Sequence, residues 1–152
     1  MTCRSKVFVA VGGCFVALAT LVPNSVSATA VKPRIIDIEM GPIAYAPKTI
    51  RVKAGEPVRL RFHNGSNVGH EAVIGDAKTQ NDHEKMMKAM KVTGDAHDMA
   101  GPDYAFAAPG KTVALDYTFK TSGRTTIGCH QPGHFASGMR IAVSIDPKTS
   151  LG

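Results

Sequence analysis

The chain has 152 residues, and its 18 Lys and Arg against 12 Asp and Glu give a formal net charge of +6. Hydrophobic residues make up 43% and charged ones 20%, a globular balance that excludes wholesale disorder and a multi-span membrane protein. Fifteen Gly and nine Pro suit the many turns of an all-β fold, and an odd count of three Cys argues against a disulfide framework.

The first segment reads as an export signal. Arg4 and Lys6 precede an uncharged apolar run from Val7 to Val22, broken by Pro23 and Asn24 and followed by Ser25, Val26, Ser27 and Ala28. A basic start, an apolar centre and a small-x-small exit describe a secretory signal peptide over 1–28, cut after Ala28, with Ala30 as second choice. A retained membrane anchor would want about 20 apolar residues. Cleavage at a lipoprotein site in Val11-Gly12-Gly13-Cys14 would fall in mid-run. The expected location is the periplasm, with no membrane attachment after cleavage and a mature domain over 29–152. Losing Arg4 and Lys6 lowers the net charge from +6 to +4. Without a basic stripe or interleaved aromatics, that charge gives no argument for nucleic acid. Cys3 and Cys14 leave too, so Cys129 is the lone thiol in a compartment that oxidises thiols.

The mature chain divides into short, turn-bounded strands. Ile35 to Glu39 ends at Gly41-Pro42, and Thr49 to Val52 precedes the turn Ala54-Gly55-Glu56. In Val58-Arg59-Leu60-Arg61-Phe62 the apolar residues alternate with arginines, so Val58, Leu60 and Phe62 face inward. Glu71 to Ile74, Tyr104 to Ala107, Val113 to Phe119, Thr125 to Cys129 and Ile141 to Ile145 complete the set. Seven to eight strands at this spacing predict an all-β, antiparallel Greek-key sandwich. One short helix interrupts it around 81–91: Asn81 can cap it, with Glu84 as capping-box partner. His83, Met86, Met87 and Met90 share one face of that helix.

The densest chemistry lies in Gly128-Cys129-His130-Gln131-Pro132-Gly133-His134-Phe135-Ala136-Ser137-Gly138-Met139. Thiolate, imidazole and thioether on one loop between strands form a soft donor set that suits copper cycling between Cu(I) and Cu(II). A mononuclear site needs one more imidazole from a distant strand, and His70, at the start of Glu71 to Ile74, is the candidate. The predicted geometry is a trigonal plane of His70, Cys129 and His134, with Met139 as a weak axial ligand. His63 is expected at the surface, and His130 in a surface or docking role. Structural zinc prefers four Cys or His ligands without a thioether.

These motifs resemble the cupredoxins, the small type 1 copper proteins, over nearly the whole mature chain. Ala46 to Glu56 is similar to the family's early strand and turn, and Ala108 to Thr112 to its later one. Cys129-x4-His134-x4-Met139 with His70-Glu71-x-Val73-Ile74 most resembles the periplasmic cupredoxins of bacterial copper tolerance. The final motif of multicopper oxidases is also similar, but it has a His where this chain has Gly128, and the His-x-His pairs it requires are missing. Many family members carry Asn directly after the first His, where this chain has Glu71.

The resemblance implies one type 1 copper per chain, one-electron transfer, no enzymatic activity, and a monomer. It also implies a redox partner docking near His134 and Phe135. The alternative reading is a copper-buffering protein with an additional Cu(I) site on His83, Met86, Met87, Met90, His97 and Met99. The bland account of the same residues is Met filling gaps under a helix.

Overall fold

In a computed structural model of the chain, residues 31–90 and 101–149 are described. In order they form β1 (Arg34–Met40), β2 (Tyr45–Ala46), β3 (Thr49–Lys53), β4 (Pro57–Asn64), β5 (His70–Gly75), α1 (Ala77–Met90), β6 (Tyr104–Ala107), β7 (Thr112–Thr118), β8 (Gly123–Gly128) and β9 (Arg140–Asp146). One sheet runs β2-β1-β4-β7 and the other β3-β9-β8-β5-β6. Every expected strand is present to within two residues. A ninth, β2, is two residues long and too short to carry a pattern. The predicted segment 1–28 lies outside the described residues, and so do His97 and Met99. Among the described residues no helix is long and apolar enough to cross a membrane.

The sheets are mixed, where a purely antiparallel sandwich was expected. β1 pairs in parallel with β4, and β3 with β9. The chain changes sheet between β2 and β3 and again between β3 and β4, so β4 returns beside β1 in the same direction.

Alternation sets the register. On β4, Val58, Leu60 and Phe62 are fully buried between the sheets, while Arg59 and Arg61 point outward. Each arginine sits opposite an acid on a neighbouring strand, Asp116 on β7 and Asp37 on β1. Both pairs close at 2.6 Å. Such exposed pairs are each worth about 0–1 kcal/mol, so they pin register more than they stabilise. Stability comes from the apolar layer: Ile38, Met40, Tyr45, Val58, Leu60, Phe62, Ile127, Ile141 and Val143 form one buried cluster.

The helix departs from expectation at its start. It begins at Ala77, four residues before Asn81, and the cap is Asp76: its Oδ1 accepts the Thr79 N–H at 2.9 Å and the Thr79 hydroxyl at 2.9 Å. Asn81 is exposed inside the helix, and Glu84 turns to His130 instead of serving as a capping partner. The buried face carries Gln80, His83 and Met87. Gln80 fastens the helix to the second sheet, donating from Nε2 to the carbonyls of Val73 (3.0 Å), Gly75 (3.3 Å) and Thr126 (3.2 Å).

If burial between the sheets dominates, Phe62→Ala lowers unfolding stability by about 3–5 kcal/mol, whereas Arg59→Ala lowers it by less than about 1 kcal/mol. Chemical denaturation of both variants measures the contrast.

Candidate metal centre

β5 and β8 lie side by side in the second sheet, and this brings distant parts of the chain together. His70 opens β5, and Cys129 follows directly on β8. The loop that then leads into β9 folds on itself: the His134 N–H donates to the Gln131 carbonyl, and the Met139 N–H to the His134 carbonyl, both at 2.9 Å. Cys129 N–H donates to the Met139 carbonyl at 3.1 Å. The loop therefore locks Cys129, His134 and Met139 to one another through the backbone. Gly138 has φ +89° at the bend before Met139, a conformation L side chains rarely adopt.

The donor atoms of His70, Cys129 and His134 all lie within 4.8 Å of one another. Nδ1 of His70 is 3.7 Å from the sulfur and Nδ1 of His134 is 3.5 Å from it. The two imidazole centroids are 5.0 Å apart. Cys129, His70 and Met139 are fully buried, and His134 is partly exposed. His70 turns its other nitrogen, Nε2, to Ser66 Oγ at 2.8 Å, and Ser66 is held in turn by Asn64 Oδ1 at 2.8 Å. A ring fixed in this way by an outer hydrogen bond presents one defined nitrogen to a metal.

Burial controls the charge of the pocket. It pushes the Cys129 thiol up to about 12, against the opposing pull of N–H groups from Glu71 and Gln131. It pushes His70 down to about 4, helped by the neighbouring His134, and it also lowers His134. Neutral imidazoles, one thiol and a thioether make a soft donor set with two nitrogens, which fits copper better than harder, oxygen-seeking cations.

Around the donors stands a polar shell that the sequence did not reveal. Glu71 is fully buried. Its Oε2 lies 2.7 Å from His83 Nε2, its Oε1 accepts from Gln131 Nε2 at 3.1 Å, and its carbonyl accepts the Tyr45 hydroxyl. His130, expected in a surface or docking role, is 2% exposed. Its Nδ1 is 2.7 Å from Glu84 Oε2 and its Nε2 is 2.7 Å from Gln80 Oε1. Its ring stacks on Phe135 with centroids 4.4 Å apart. Strand alternation stops at Cys129, so period-two reasoning could not place His130; α1 covers it. His63 is exposed, as expected, with Nδ1 2.9 Å from Thr112 Oγ1.

The Met/His face of α1 is divided by the fold. His83 and Met87 are buried, Met86 is half-buried and Met90 is 51% exposed. His83 already uses Nε2 on Glu71.

Against this geometry, the comparisons give a class and then particular relatives. The sequence profile of copper binding proteins of the plastocyanin/azurin family matches residues 34–146, and the chain belongs to that family. It is therefore a copper-binding cupredoxin. It is 30% identical over 139 residues to the copper-resistant cuproprotein CopI of Pseudomonas aeruginosa, covering 75% of this chain and 77% of that protein. It is 34% identical over 97 residues to CopI of Rubrivivax gelatinosus, covering 62% of this chain and 55% of the relative. Among solved structures, dithionite-reduced auracyanin from Roseiflexus castenholzii superposes with a TM-score of 0.63 at 21% identity, over 74% of this chain and 97% of that one. Auracyanin A from Chloroflexus aurantiacus gives 0.62 at 21% identity, over 76% and 100%. A multicopper oxidase gives 0.53 at 18% identity and is covered over only 42% of its length. These likenesses establish the cupredoxin fold.

Gly128, which stands where the oxidase motif has His, has a steric reason in this chain. A Cβ there would sit 2.4 Å from Gln80 Oε1 and 2.7 Å from the Phe135 ring. Both neighbours are held by His130, so neither yields freely. Gly128→Ala is expected to cost about 1–3 kcal/mol by overpacking. A denaturation midpoint equal to that of the parent protein would show instead that Gln80 and Phe135 repack without strain.

Proposed function

We propose that the protein is an exported, mononuclear type 1 copper protein that carries single electrons in the service of copper tolerance. One observation carries the reading: His70 Nδ1, Cys129 Sγ and His134 Nδ1 converge within 4.8 Å, beside a buried Met139 whose backbone is tied to Cys129 and His134. His70, Cys129 and His134 would hold the ion, with Met139 as the weak fourth donor. Bound copper supplies a one-electron couple between Cu(I) and Cu(II).

The chain's own part in this chemistry is rigidity. His70 is braced by Ser66, and His134 and Met139 are braced by the backbone of their loop. Donors fixed before the ion changes charge need little rearrangement, which favours fast outer-sphere transfer. His134 is the partly exposed donor, flanked by the exposed Pro132, Gly133 and Ala136, so its ring edge is the exit toward a partner protein. Phe135 is half-buried between His130 and the Arg140 guanidinium, which lies 5.5 Å from its ring centre. It contributes to the docking face with only part of its surface. No second metal is needed for this role, and the protein acts as a carrier rather than an enzyme. The copper-tolerance setting is supported by the two relatives, both copper-resistant cuproproteins.

Copper loading tests the core of this reading. One copper per chain and an intense visible thiolate band, both expected, would be joined by loss of that band in Cys129→Ser. A parent protein without such a band is not a type 1 centre, and copper well above one per chain would favour buffering. Export has its own test: cell fractionation should find the protein in the periplasm with Thr29 as its first residue, and an intact 1–28 segment on the purified protein would refute cleavage.

A further inference from the structure

α1 covers only part of the outer face of the second sheet. It packs on β5 and β8, and between it and β9 an open cleft of about 610 Å³ remains. The floor is made of small side chains. Thr126 on β8 stands opposite Ala142 on β9, and both point outward because Ile127, Ile141 and Val143 beside them are buried in the core. Asn81 of α1 lines the cleft on the helix side, and Lys48, Arg140 and the Phe135 ring of the metal loop also line it.

No acid lines this cleft. Elsewhere on the surface Arg34, Arg51, Arg59 and Arg61 each close on a nearby carboxylate. The acids of α1 are taken as well, Asp82 by Lys78, and Glu84 by His130 and Lys88. Among the described residues Lys48 and Arg140 make no ion pair. Lys48 Nζ reaches only the Gly138 carbonyl, at 3.5 Å, and the Arg140 guanidinium lies over the Phe135 ring, 5.5 Å from its centre. A guanidinium stacked on a ring still offers its N–H groups at the edge, and an ammonium offers three more. Together with the Thr126 hydroxyl and the Asn81 amide they match a carboxylate.

The cleft is joined to the metal centre through one loop: Phe135 follows His134, the partly exposed donor, and Gly138 precedes Met139. Both cations are exposed, so a free anion seated here would stay in water, where such attraction is worth only about 0–1 kcal/mol. A carboxylate carried on a protein surface brings further contact area with it, and the net positive charge of the chain favours the approach of an acidic face. We propose, resting on the type 1 carrier reading, that the cleft receives an acidic side chain of the electron-transfer partner and so fixes the side from which that partner meets His134.

The experiment uses an oligoglutamate peptide as the acidic probe and ferricyanide as an anionic one-electron oxidant. Copper-loaded, reduced protein is titrated with the peptide at low ionic strength while its backbone amides are followed by NMR. The expected shifts centre on Thr126, Phe135, Gly138 and Ala142 and are suppressed by salt. Lys48→Gln or Arg140→Gln weakens the apparent affinity by about 2- to 5-fold. Neither side chain is a metal donor, so both variants keep the visible band. Lys120→Gln, which removes an exposed cation in the connection after β7, leaves binding in place. In rapid mixing, ferricyanide oxidises the parent protein and Lys120→Gln at nearly equal rates and the two cleft variants more slowly. Shifts spread over the whole basic surface, or equal affinity in the cleft variants and the parent, would overturn the proposal, as would oxidation rates that the cleft variants do not change. Binding of citrate without binding of the peptide would make the cleft a small-anion site and overturn the docking role. A parent protein with no thiolate band would instead defeat the type 1 reading, and with it the partner named here. With a normal band, any of the other failures removes this proposal alone.

Discussion

Burying a sulfur and an imidazole so completely leaves every neighbouring polar group without water. An orphaned buried donor or acceptor costs about 1–3 kcal/mol, and among the buried side chains described the Tyr104 hydroxyl alone has no partner. That constraint shapes the molecule around Cys129. β5 and β8 bring His70 and Cys129 together, and the loop after Cys129 satisfies its own backbone by folding onto Gln131, His134 and Met139. These bonds tie Cys129, His134 and Met139 to one another although much of the loop between them faces solvent. The bracing of the buried donors thus follows from the same desolvation that makes the site hard to build.

The helix is best understood in this light. Its buried face carries Gln80 and His83 beside Met87, a poor face if its purpose were hydrophobic burial. These polar residues answer polar groups that the sandwich leaves open: the carbonyls of Val73, Gly75 and Thr126, both ring nitrogens of His130, and one oxygen of Glu71. Glu71 and His130 directly follow the ligand candidates His70 and Cys129 in the chain, and both are held by adjacent helix residues, His83 and Glu84. One turn of α1 therefore closes over the two positions where a strand hands its backbone to the metal pocket.

Much of the fold was legible from local sequence. Val58-Arg59-Leu60-Arg61-Phe62 announces a strand with one dry face, and the structure buries its three apolar residues completely. Cys129, His134 and Met139 could be placed on one loop because that loop is short and contiguous. What escaped was non-local. The parallel pairing of β1 with β4 depends on the chain leaving a sheet and coming back, which no window of residues records. Asn81 and Glu84 imitate a capping box, yet Asp76 takes the cap because Thr79 offers it both an N–H and a hydroxyl. Ser66 gave no signal, since a single hydroxyl in a turn is common everywhere.

The residue that sequence comparison alone would mark as a departure, Glu71, illustrates why local chemistry has to be read in its three-dimensional surroundings. An amide in this position can donate and accept within the loop by itself. A carboxylate only accepts once ionised, so it needs donors on both oxygens, and here they come from two elements far apart in sequence, Gln131 and His83. Replacing an amide by a carboxylate beside a buried sulfur is therefore tolerable only in a chain that also supplies a donor from outside the sandwich. The acidic residue next to His70 and the histidine on the inserted helix belong to one arrangement. A cupredoxin with Glu in this position but no donor on a covering helix would leave a buried oxygen unpaired, whereas one with the helix but Asn in this position would have no need of His83.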